Sequence, residues 1–190
     1  MPAVVRVLLV GPTSRSWRSI ECEVNADLER LARPDVEFVY RCTGTGPADI
    51  HSTEDAREAA PGVVAAVRRA EADGFDGVIV DCTEDPGVIE AAKLVAIPVV
   101  GPGAALERAI AVAATPVVRV SGDELRLLSV DELTVRVTGA ATVVLGGTGW
   151  SHISEALTAD QPDLVVLDPL AVALGDCLSI LTDTSSRSVP

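Results

Sequence analysis

GFDGVIVDCTEDPG, residues 74–87, decides the fold. Its centre, Gly77 to Asp81, is an almost unbroken apolar run, as a strand covered on both faces must be, and it opens into the polar loop Cys82 to Glu84. Asp85 then reads as a helix N-cap and Pro86 as a first-turn residue. A short side-chain oxygen can accept an unpaired amide, and proline has no N–H to leave unpaired. The stretch is one strand–loop–helix unit.

The same unit recurs on either side. Upstream, Val4 to Val10 is an apolar strand ending in Gly-Pro-Thr-Ser, and Ser16 to Arg33 carries Trp17, Ile20, Val24, Leu28 and Leu31 at helical spacing. The opening MPAVVRVLLVGPTSRSW has one early arginine and runs straight into that turn, so it is read as strand rather than leader. Val36 to Arg41 is a second strand, and a helix from about Thr53 to Asp73 aligns Val63, Val64, Val67 and Ala70. Downstream, Ile97 to Val100 ends in Gly-Pro-Gly, a tight turn given no chemistry, before a helix from Ala104 to about Ala114. Four such units in series predict an α/β fold with a parallel, doubly wound sheet.

Past residue 115 the pattern changes. Pro116 to Val120, Glu124 to Val130, Leu133 to Val137 and Thr142 to Leu145 read as β runs too closely spaced for crossover helices. They predict a shortened, partly antiparallel second lobe with hairpin turns at Ser-Gly-Asp and Thr-Gly-Ala. Gly146 to Trp150 is a glycine-rich loop, Ser151 to Ala159 a helix, Asp163 to Leu167 a strand and Pro169 to Leu181 a closing helix. The division expected is a first lobe over 1–102 completed by helix 168–182, a reduced second lobe over 103–167, and a flexible tail over 183–190.

The chain has 190 residues, 48% of them hydrophobic, which suffices for a substantial core. Its formal net charge of −13 and scattered basic residues lack the footprint of a nucleic-acid binder and disfavour acidic membranes. No apolar run is long enough to span a bilayer. The four cysteines form no CxxC pair, and the setting of Cys82 suits a reduced thiol, so a cytoplasmic location is expected.

DGVIVDCTEDPGV followed by IPVVGPGAA resembles the first-cysteine region of hydantoin racemases and their Asp/Glu racemase relatives. VLLVGPTS and PADIHSTEDAREAAPGVVAAVRRAEADGFDG resemble their opening strand and upstream segment, so the likeness covers roughly the first 110 residues. Farther on, TVVLGGTGW resembles the second-cysteine motif and PDLVVLDPLAVAL the final strand and helix, with Gly147 standing where the second cysteine would be.

The resemblance implies an enzyme that needs no cofactor and no metal. In the family, two thiols face each other across a cleft, one removing an α-proton and the other delivering one to the opposite face. It implies Cys82 as acid or base, with Thr13, Ser14, Thr83, Gly147, Thr148, Gly149 and His51 around a small carboxylate or carbonyl substrate. A strand-to-helix loop offers free amides that favour a thiolate, whereas Asp81, Glu84 and Asp85 oppose one. The ranking of those effects depends on tertiary geometry. Because glycine can neither take nor give a proton, His152, just past GGTGW, is the candidate second base. Both histidines are also readable as solvated loop-end residues, and the four threonine and serine residues as ordinary caps. Cys22, Cys42 and Cys177 read as packing residues, with Cys42 bordering the loop nearest the cleft.

Three functions fit these residues. The first is a racemase-family isomerase moving a proton at a carbon beside a carboxylate or carbonyl. The second is a stereospecific decarboxylase that protonates with a single thiol. The third is a racemase-derived protein that binds a small acid without turnover. A homo-oligomer is expected because antiparallel strands over 116–146 would leave apolar edges exposed.

Overall fold

The computed structural model describes residues 4–187, apart from the side chains at 17, 19–23 and 184–187. The expected burial of Trp17 and Ile20, the packing role of Cys22 and the last three residues of the tail therefore lie outside the described residues.

Strands β1 (Val5–Gly11), β2 (Val36–Cys42), β3 (Gly77–Val80) and β4 (Val99–Val100) form one parallel sheet in the order β2-β1-β3-β4. The period of two along a strand sends Val7 and Leu9 to one face and Leu8 and Val10 to the other, and all four are buried. Val7 and Leu9 pack with α1 (Trp17–Leu31), α4 (Pro102–Ala111) and α8 (Pro169–Arg187) through Leu28, Ala105, Leu170 and Leu174. Leu8 and Val10 pack with α2 (Thr53–Ala72) and α3 (Val88–Ala92) through Val63, Val67, Val88 and Ala91. The sheet is thus doubly wound, and its strand order reverses between β1 and β3. That reversal opens a crevice at the carboxyl ends of those two strands. Helix α8 continues to Arg187, into the segment 183–190 expected as a flexible tail.

A second sheet contains β5 (Val117–Ser121), β6 (Thr142–Gly146) and β7 (Val165–Leu167), in that order and parallel throughout. The expected antiparallel hairpins are absent. Glu124 to Val130 and Leu133 to Val137 are not strands but parts of two short helices, α5 (Gly122–Leu127) and α6 (Val130–Arg136), which together form the crossover from β5 to β6. Each helix starts with a capping box. Ser121 accepts the Glu124 amide while the Glu124 carboxylate accepts the Ser121 amide, and Ser129 and Glu132 repeat the pair. Leu125, Leu133 and Val137 fall on the buried side, joining Val120, Val143, Leu145, Ile153 and Leu157 from the sheet and α7 (Ser151–Asp160). The exposed hairpins that motivated an oligomer are therefore missing.

Asp85 does not cap α3, whose N-cap is Gly87 at φ 68°. Asp85 itself turns into the left-handed region at φ 49°, and its carboxylate accepts the amides of Gly103 and Ala104 at 2.9 and 2.7 Å. It therefore caps α4. A Cβ at Gly101 would overlap the Asp85 carboxyl, and one at Gly103 would overlap the Thr83 carbonyl. The Gly-Pro-Gly turn thus lets the β3–α3 loop lie directly on the start of α4.

Candidate active site

The carboxyl ends of both sheets open onto one cleft of about 870 Å³. From the first sheet come Gly11 to Thr13 after β1 and Asp81 to Glu84 after β3; from the second come Ser121 to Asp123 after β5 and Gly146 to Trp150 after β6. Of the residues expected at a site, Cys82, Thr13, Thr83, Gly147, Thr148, Gly149, His51 and His152 all line it. Ser14 does not: it is exposed, and its amide donates to the Pro47 carbonyl.

Cys82 is half-buried at the cleft floor. Loss of water around it pushes its thiol up to about 12, assisted by the charges of Asp81, Glu84 and Asp85 and opposed by the Glu84 amide. The helix-end effect expected to favour a thiolate is absent, because α3 is one short turn that begins six residues later. At neutral pH Cys82 is therefore a protonated thiol.

Asp81 escaped the sequence reading as a site residue. It continues β3, donating its amide to the Val10 carbonyl, so its side chain leaves on the same face as Ile79, toward α1 and α8. There the Tyr40 hydroxyl donates to Oδ2 at 3.1 Å. The Thr148 hydroxyl approaches from the β6–α7 loop close enough to favour the ionised form, but buried Oδ1 makes no well-formed hydrogen bond. Burial raises the carboxyl to about 6, with Asp27 and Asp168 adding repulsion. Asp27, on α1, is 6% exposed and is itself raised by burial, with Ser151 close enough to oppose that shift. Tyr40 is raised by burial and by Asp81, and it fits over the end of β1 because Gly11 has no Cβ to strike its ring.

The two histidines sit at the rim. His51 is exposed and its amide donates to Asp55, while His152 is exposed in the first turn of α7 with its ring 5.9 Å from that of Trp150. Cys42 is half-buried outside the cleft lining and is raised first by burial and then by Asp81. Cys177 is buried in α8 against Gly77 and serves packing. The rim arginines are already paired, Arg15 with Asp49 at 3.6 Å and Arg126 with Asp123 at 3.5 Å. Among the described residues no group of three or more His, Cys, Asp or Glu is placed to hold a metal ion, and no helix is long and apolar enough to cross a membrane.

Two parallel α/β lobes with a thiol and a carboxylate at their shared strand ends define a class of two-lobed proteins whose cleft lies between the lobes. Residues 7–121 match the family described as Asp/Glu/hydantoin racemase, and the chain belongs to that family. It is 36% identical over 70 residues to a hydantoin racemase of Pseudomonas sp. (strain NS671), covering 37% of this chain and 28% of that one. With a hydantoin racemase of Rhizobium meliloti it shares 35% identity over 97 residues, 51% of this chain and 39% of the relative. The matches to these curated relatives thus span less than half their length. Allantoin racemase from Klebsiella pneumoniae superposes with a TM-score of 0.77 at 21% identity, over 94% of this chain and 88% of that one. A liganded double mutant of arylmalonate decarboxylase, with one glycine changed to cysteine and one cysteine to serine, gives 0.62 at 16% identity over 94% and 93%. These two structures share the fold.

Proposed function

We propose that this protein is an isomerase of the racemase family, independent of cofactors, that moves a proton at a carbon beside a carbonyl or carboxylate, with Cys82 as its proton donor. The observation that carries this reading is a half-buried thiol, held in its protonated form, on the floor of a cleft at the switch point of a parallel sheet. Gly147 takes the place of the second family thiol on the opposite wall, so the proton must be removed by a group other than sulfur. Thr13 and Thr83 supply hydroxyls for the developing enolate oxygen, Thr148 turns its own toward Asp81, and His51 and His152 lie at the rim.

The charge around the cleft favours an uncharged substrate. Asp27, Asp49, Asp81, Glu84 and Asp123 line it, and the two arginines are already paired. A dianion would meet repulsion with little compensation. The neutral thiol also supports a second reading, a stereospecific decarboxylase, because the step after loss of carbon dioxide is protonation of one face of an enediolate.

Solvent exchange tests the main reading. The protein in deuterated water is given 5-methylhydantoin, allantoin, glutamate, maleate or phenylmalonate, and carbon-bound deuterium is followed by NMR. Labelling of a ring compound with interconversion of its enantiomers, the interconversion lost in Cys82→Ala, supports the isomerase, and carbon dioxide release from phenylmalonate supports the decarboxylase. No labelling and no release, with binding retained, would leave a small-molecule binding protein.

A further inference from the structure

The loops of the two lobes meet at Asp81 as well as at Cys82. The Thr148 hydroxyl, one residue past Gly147, lies against the Asp81 carboxylate, so that carboxylate faces the loop where the family resemblance puts the second thiol. Asp81 still pairs with Val10 and points to the α1 and α8 face, and the chain turns there, the Cys82 amide donating back to the Val80 carbonyl. Both residues line the cleft, so an enolate seated over the end of β3 would meet the carboxylate and the sulfur from separate directions.

Among the described residues the charges that act most strongly on Asp81 are carboxylates, and Arg15, which acts on its partner Tyr40, is paired with Asp49. Facing Asp81 are Tyr40 from β2, Asp27 from α1, Asp168 from the start of α8, Thr148 from the second lobe, and the thiols of Cys82 and Cys42. Tyr40 holds Oδ2 in place, while Oδ1 is buried without a well-formed bond. Oδ1 therefore keeps accepting capacity that a proton from a bound molecule can fill.

We infer that Asp81 is the base that replaces the missing thiol, and that it works with Cys82 as a base–acid pair across the substrate. The inference rests on the isomerase reading above. The Asp81 carboxylate takes the α-proton, the C–H electron pair passes into the enolate, and the Cys82 S–H bond breaks to protonate the opposite face. The turnover leaves a carboxylic acid and a thiolate, and proton transfer from the acid to the thiolate, directly or through water, restores both. No external acid, base or oxidant is consumed. Environments that drive two neighbouring groups apart in acidity mark such assignments: Asp81 near 6 is largely ionised at neutral pH, and Cys82 near 12 is not.

The test uses the compound that labels in the exchange experiment, followed by chiral chromatography and NMR. Asp81→Asn is expected to lose about a hundredfold or more of the exchange rate. Cys82→Ser should still exchange but with retention, since Asp81 can return a deuteron only to the face it serves. In the unaltered protein, kcat/KM should rise with pH about a midpoint near 6, and Tyr40→Phe should move that midpoint upward by removing a bond to the ionised form. The 13C titration of the Asp81 carboxyl, which requires no substrate, should show the same midpoint.

Asp81→Asn exchanging within about threefold of the unaltered protein, while Cys82→Ser is inert, would overturn this inference and leave the isomerase standing. A carboxyl that titrates in the ordinary range would also overturn it. Absence of exchange with every compound in the unaltered protein would overturn the isomerase reading and this assignment with it.

Discussion

The carboxylate of Asp85 accepts the amide of Ala104 at 2.7 Å, so the loop that carries Cys82 is tied to a helix 19 residues farther along the chain. The same carboxylate takes the Gly103 amide, and the Gly-Pro-Gly turn leaves room for both bonds. That tie, rather than α3, holds the floor of the cleft.

Gly103→Ala should therefore destabilise the protein by about 1–3 kcal/mol, because its methyl group would press on the Thr83 carbonyl. Asp85→Ala should cost about 1 kcal/mol through loss of a cap. Urea unfolding gives both values, and equal midpoints for the variants and the unaltered protein would refute the tie.

Cys82 should react slowly with iodoacetamide. Raising a thiol to about 12 lowers the thiolate population at pH 7.5 by about a thousandfold against an ordinary cysteine, and its greater intrinsic nucleophilicity returns roughly half of that on a logarithmic scale. The net expectation is roughly thirtyfold slower alkylation at this site, read by peptide mass spectrometry over pH 6–10. Labelling at the rate of a free thiol would contradict the burial that protects it.

Asp81 costs stability when ionised. Its carboxyl is raised in the folded chain to about 6, so below the ordinary carboxylate range both folded and unfolded chains are protonated and there is no cost. As pH rises through that range toward 6, the unfolded chain loses its proton first and stability falls; above 6 the cost is complete, on the order of 3 kcal/mol. Asp81→Asn should accordingly raise Tm by several degrees at pH 8 and by little at pH 3.5. A gain of the same size at both pH values would mean that ionisation has no part in it.

Gly147→Cys should fold, since the nearest atom to its Cβ is the Trp150 Nε1 at 3.5 Å, although φ of 157° strains any L side chain by about 1–3 kcal/mol. In our reading it restores a second thiol. The variant should interconvert both enantiomers of a substrate at comparable rates in the absence of Asp81, a gain measured by polarimetry on the Asp81→Asn background. Failure to gain any interconversion would count against Gly147 as the lost thiol position.

Glu132→Ala should loosen the start of α6 by about 1 kcal/mol, because the Ser129 amide and hydroxyl both donate to that carboxylate. The effect should appear as a lower denaturation midpoint with an unchanged slope; an unchanged midpoint would show that the box contributes nothing.

The second lobe shows what a period can hide. Glu124 to Val130 and Leu133 to Val137 are rich in leucine and valine, which suggested strands, yet Ser-Gly-Asp-Glu at 121–124 and Ser-Val-Asp-Glu at 129–132 are capping boxes legible without a structure. Leu133 and Val137, both buried and four positions apart, have helical spacing, and a parallel crossover then fits in the residues between β5 and β6. Asp81 and Tyr40 carry no comparable mark. They stand 41 positions apart, and neither residue type advertises a site by itself.

Sequence alone determined the first lobe and the family, because strands covered on both faces must be continuous apolar runs, and glycine, proline and capping residues have to punctuate them. It also placed the sulfur of Cys82 in a loop at a strand end. Only the tertiary structure decided the protonation of that sulfur, the acidity of Asp81 and the helix that Asp85 caps. Acidity is set by water excluded and by groups brought close: burial dominates at Cys82, and Asp27 of α1, Tyr40 of β2, Thr148 of the β6–α7 loop and Asp168 at the start of α8 meet Asp81 only when the chain is folded.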